Sequence, residues 1–111
     1  MNVLFEDKHL LVVQKPAGVL SEPDGSGNDI ITLCSQHTNS ECFLVHRLDR
    51  GTGGVMVLAK TKQAAGKLSA LVSERAFSKE YLAVVKGCPE KDSGILKTCF
   101  SKTHARTKAT L

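Results

Sequence analysis

Apolar residues in this chain fall into short runs separated by polar, glycine-rich punctuation, and the spacing inside each run predicts its conformation. HLLVVQKP, residues 9–16, is rich in β-branched residues, follows the charged EDK and is stopped by Pro16, which predicts a buried strand ending in a turn. SEPDGSGND, residues 21–29, holds two glycines, a proline and three acids and is expected to be a mobile surface loop. IITLCSQ then predicts one or two helical turns beginning near Asp29. FLVHRLD, residues 43–49, begins as a strand and runs into RGTG, and GVMVLAK, residues 54–60, is the return strand. Thr61 suits a helix N-cap, and AAGKLSALVSER places apolar residues at 65, 68, 71 and 72, one face of a helix. Gly66 weakens that helix by about 1 kcal/mol relative to alanine, so packing has to hold it. KEYLAVVKG, residues 79–87, alternates, with Tyr81, Ala83 and Val85 on one face and Leu82 and Val84 on the other, and reads as a half-buried strand. KTCFSKTHARTKATL, residues 97–111, carries four Lys or Arg and no acid and suits an exposed strand.

Together these elements predict an α+β fold, a mixed, mainly antiparallel sheet with helices packed on it. The chain of 111 residues is expected to be a single domain. Its apolar fraction of 41% and charged fraction of 23% are those of a globular protein and exclude a disordered or fibrous class. No stretch approaches the roughly 20 apolar residues of a membrane span. The opening MNVLFEDKHL lacks a basic segment followed by a long apolar one, so no leader is expected and a cytoplasmic location is. Cys34, Cys42, Cys88 and Cys99 form no CxxC pair, which in a reducing compartment predicts free, mostly buried thiols and no metal site.

Charge is distributed unevenly. Residues 1–45 hold 2 Lys against 6 acids, a net −4, while residues 46–111 hold 13 Lys and Arg against 5 acids, a net +8. The later part therefore suits a polyanionic partner, since each cation placed on a phosphate releases a counterion. The alternative is a lysine-rich solvated surface.

The densest chemistry lies in HRLDRGTGG, residues 46–54, where Asp49 sits between Arg47 and Arg50 at a glycine-rich bend. Such a bend presents a side chain at a sheet edge, and Gly51, Gly53 and Gly54 permit close approach of another backbone. Two adjacent guanidiniums would stabilise an ionised Asp49, which favours a nucleophile or base over a general acid. A glycosidase would need a second carboxylate of raised pKa, and none is adjacent. RGTGG lacks the GxxxxGK[ST] pattern of a phosphate loop. Taken alone, such a string is more often a surface salt-bridge cluster than a site.

VLFEDKHLLVVQKPAGV, VHRLDRGTGGVMVLAKT, the helix AAGKLSALVSER and KEYLAVVKG, in that order and spacing, resemble the RluA-type pseudouridine synthase family. The related RsuA-type enzymes usually have glycine where this chain has His46. The resemblance implies an enzyme that isomerises uridine to pseudouridine in ribosomal or transfer RNA without cofactor or metal. It implies that Asp49 is the catalytic aspartate and that Tyr81 packs on the target uracil. Arg47 would fill the space left by the flipped base. His46, Arg50 and Thr52 would contact RNA or orient the loop.

Two departures from the family pattern stand out. Gly53 replaces the serine usual after the motif threonine. The family's following TGRxHQIR-like stretch, whose arginine pairs with the aspartate, has no counterpart here, so the chain is expected to stop within the catalytic domain and to lack an N-terminal S4-like domain. A non-catalytic RNA-binding remnant of the same family is the competing expectation, followed by an unrelated nucleotide-binding module.

Overall fold

The structure, a computed structural model, describes residues 1–95, 97, 99–103 and 106–110. It falls into two compact units, Met1–Lys79 and Glu80–Leu111. The first contains β1 (Asn2–Glu6), β2 (Leu10–Lys15), α1 (Ile30–Thr38), β3 (Phe43–Leu44), β4 (Gly54–Ala59) and α2 (Lys62–Ser73). Its sheet has the order β1-β2-β4-β3, and every ladder in it is antiparallel. A parallel pairing occurs at a single bridge, Leu20 with Asp29.

The period of two along β2 and β4 builds the core. Leu11 and Val13 of β2 lie opposite Leu58 and Met56 of β4, and all four are fully buried. Ile30 and Cys34 of α1 close over this face. Burial pushes the Cys34 thiol pKa up to about 12, which makes it inert. Cys42 is also a buried free thiol, and the free Cys88 is exposed in an irregular, solvent-facing stretch. The side chain of Cys99 lies outside the described residues.

β1, which the hydrophobic pattern did not single out, pairs with β2 through a tight turn in which Asp7 Oδ1 accepts from the backbone N–H of His9 and Leu10, each at 2.7 Å. Glu6 at the end of β1 accepts from Lys60 Nζ at 2.6 Å and lies 2.9 Å from His37 Nε2. These contacts tie β1 to the end of β4 and to α1.

Both helices begin where the side chains allow. Thr61 Oγ1 accepts from Ala64 N at 3.1 Å and caps α2. Asp29 caps α1, its Oδ1 accepting from Thr32 N and its Oδ2 from Thr32 Oγ1, both at 2.8 Å. Because Asp29 is fully buried, Asp29→Ala is expected to cost about 2 kcal/mol, the upper end for a cap, and Asp29→Asn distinctly less. Urea unfolding midpoints of the two variants would check this order.

The second unit contains β5 (Cys99–Thr103) and β6 (Arg106–Thr110), an antiparallel pair where one exposed strand was expected. The expected strand over residues 79–87 is not formed. Residues 79–85 have no regular structure, with Leu82 105% and Val84 104% exposed. Alternation gives a segment two distinct faces, but a strand also needs a ladder partner and an apolar cover, and neither is supplied to it among the described residues.

Candidate active site

Residues 46–52 leave β3 and turn back into β4, and their anchoring alternates. His46 is half-buried, and its Nε2 accepts from Val57 N of β4 at 3.0 Å. Leu48 is 8% exposed and belongs to the core, while its neighbours Arg47 and Asp49 are exposed. The Asp49 carbonyl accepts from Thr52 N at 3.0 Å and closes a four-residue turn, Asp49 to Thr52. The side chain of Asp49 is thus held at the surface by backbone bonds that do not involve its carboxylate.

A second loop, Lys15 to Gly18, clasps this turn. Gly18 N donates to Arg50 O at 2.7 Å, and Arg50 Nε donates back to Gly18 O at 3.2 Å. Gly18 has φ +92°, a left-handed conformation suited to glycine. Gly53 packs so closely that a Cβ there would sit 3.2 Å from Ala17 N. The close approach expected at the glycines is therefore real at Gly53, whereas nothing lies within 4 Å of a Cβ built at Gly51.

Beneath the turn lies Lys15, fully buried. Its Nζ donates to Val19 O at 2.6 Å, to Pro16 O at 3.2 Å and to Arg50 O at 3.5 Å. Burial holds its pKa below the ordinary lysine range, and the negative charge of Asp49 works in the opposite direction. The expected clasp of Asp49 by its flanking arginines is not observed. Arg47 pairs with Glu22 at 3.2 Å and Arg50 turns to Gly18, while the charge of Asp49 is felt at Lys15. The physical reason is reach: a guanidinium on an exposed, extended segment finds partners on the loops beside it more readily than on its sequence neighbour.

His46 has its pKa lowered by burial and, second, by the charge of Lys79, and its ring lies 6.1 Å from that of Phe77. The hydrogen bond from Val57 N requires a neutral imidazole with the proton on Nδ1. An unfolded histidine takes up a proton near its model value of 6.5, whereas the folded one resists it. The stability that His46 provides is therefore fully present above that pH and is lost as pH falls through the lowered folded value. The advantage of the wild type over His46→Asn in thermal unfolding is expected to shrink between about pH 7 and pH 5. A difference that stays constant over that range would contradict it.

Thr52 is half-buried in the turn, and Tyr81 belongs to the second unit, where it is 63% exposed. Sequence reasoning passed over Lys15 and Ser21, both buried. Lys15 had a signal, because it shares the inward parity of Leu11 and Val13, where a lysine is rare without a purpose. An open cleft of about 340 Å³ lies elsewhere, lined by Asp7, His9, Leu10, Gln63, Ala64, Lys67 and Leu68, and includes none of the turn residues. Among the described residues no three of His, Cys, Asp and Glu gather as a metal site requires, and no helix is long and apolar enough to cross a membrane.

Residues 9–110 match the RNA pseudouridylate synthase family, and the chain belongs to that family. It is 44% identical over 95 residues to the ribosomal large subunit pseudouridine synthase D of Xanthomonas campestris, covering 78% of this chain and 28% of that protein. It is 40% identical over 98 residues to the dual-specificity RNA pseudouridine synthase RluA of Yersinia pestis, covering 86% of this chain and 48% of that protein. Among solved structures it resembles human RNA pseudouridylate synthase domain containing 4, with a TM-score of 0.57 and 33% identity over 68% of this chain and 30% of that one. The chain thus spans less than half the length of each of these relatives.

Proposed function

We propose that this chain acts in the isomerisation of uridine to pseudouridine in ribosomal or transfer RNA in the cytoplasm, with Asp49 as its catalytic group. One observation carries the reading: Asp49 is exposed on a turn whose backbone is pinned from beneath by Gly18 and Lys15. In the reaction the N1–C1′ bond of the nucleotide breaks, the uracil turns, a C5–C1′ bond forms, and the proton lost from C5 is balanced by one gained at N1. A carboxylate fixed at the surface can act at the sugar or the base once the nucleotide leaves its stack, at a cost of a few kcal/mol. Arg47 takes the space left by the base, its planar cation stacking on the neighbours. Arg50 and Thr52 contact RNA at the turn, together with the Nδ1 side of His46, and Tyr81 packs on the uracil.

The test is incubation of the purified chain with ribosomal and transfer RNA lacking the modification, followed by mapping of pseudouridines by chemical labelling and reverse transcription. New pseudouridine at defined positions is the expected result. Salt-dependent RNA binding without product would overturn the isomerase reading and leave a binding module.

A further inference from the structure

Ser21 lies at the start of a stretch whose composition suggests surface loop, yet it is 5% exposed. Its hydroxyl donates to Leu48 O at 2.5 Å and accepts from Leu48 N at 3.1 Å, across 27 positions of sequence. One side chain therefore satisfies both backbone polar groups of the residue immediately before Asp49. Leu48 itself is buried, so loss of the hydroxyl would strand a donor and an acceptor away from water.

The hydroxyl is itself held in place. Leu20 N donates to Asn28 O at 3.3 Å, and Ile30 N, at the first residue of α1, donates to Leu20 O at 2.8 Å. On the other side of Ser21, Glu22 pairs with Arg47. Residues 21 and 22 thus run beside 47 and 48, one fixing a peptide and the other an arginine, in a chain of contacts from the α1 N-terminus to the Asp49 turn.

We infer that Ser21 is a positioning residue, which holds the Leu48 peptide and through it sets where the Asp49 carboxylate stands. The inference rests on the reading of Asp49 as catalytic, and its test has two readouts that separate the two. Exchange of the Leu48 amide, followed by NMR, reports the clamp directly, and steady-state pseudouridine formation reports its consequence. Ser21→Ala is expected to speed Leu48 exchange and to lower kcat by about 100-fold with KM unchanged, the effect of misplacing a reacting group by about 1 Å. Ser21→Thr, which keeps the hydroxyl, is expected to restore both. Should Ser21→Ala not fold, Ser21→Cys, with a similar shape and a weak S–H donor, carries the same comparison. Leu48 exchange unchanged by loss of the hydroxyl, or a raised KM with kcat intact, would overturn the inference. A wild-type chain that makes no pseudouridine would sink the catalytic reading of Asp49, and the Leu48 exchange would still decide whether Ser21 holds the loop.

Discussion

Asp49→Asn is expected to lower pseudouridine formation by about 10⁴-fold, the upper range for a positioned acid or base, while fold and RNA binding persist. The structural half of this expectation follows from the turn. Thr52 N donates to the backbone carbonyl of Asp49, and Arg50 O is held by Gly18 N and Lys15 Nζ, so the turn does not depend on the carboxylate. Asparagine has the same shape and lacks the charge and basicity. Binding should be unchanged or slightly tighter, because a negative charge leaves the surface proposed to meet phosphates. Unfolding temperature, filter binding and pseudouridine mapping on the same preparation would separate the three quantities. Turnover retained in a contamination-free Asp49→Asn sample would remove Asp49 from the chemistry.

How much of this could be read from the chain differs by element. β2, β4 and both helices were legible because period and punctuation agree: Pro16 ends one strand, and Asp29 and Thr61 cap the helices that follow them. β1 was not, because NVLFE is five residues with no clean alternation and becomes a strand through its pairing with β2. Residues 79–87 show the reverse case, a clear alternation without a partner among the described residues. At the site, Asp49 and Arg47 were legible as a local string. Lys15 and Ser21 reach the turn only after β2 has paired with β4 and the loop leading to α1 has folded back, contacts that span 35 and 27 positions. Local pattern does not record such meetings, apart from the one lysine placed at core parity.

That lysine sets the second large effect. Lys15→Ala is expected to cost about 3 kcal/mol, since it removes a long, fully buried side chain and leaves a cavity beside Pro16, Val19 and Arg50. Lys15→Met separates volume from charge. The methionine refills the space and needs no desolvation of an ammonium, which offsets part of the loss, while Val19 O is left without the donor that stood at 2.6 Å. Pro16 O keeps the bond from Val19 N and Arg50 O keeps that from Gly18 N, so the group orphaned by the change is Val19 O. Most of the stability is therefore expected to return with methionine, to within about 1 kcal/mol of the wild type. Activity is not expected to follow, because both variants lose the buried cation at which the charge of Asp49 is felt and one of the two donors on Arg50 O. Urea midpoints set against turnover for the three proteins would show the divergence. Recovery of turnover in step with stability in Lys15→Met would mean that Lys15 serves the turn by filling space and that its charge has no part in holding Asp49 ready.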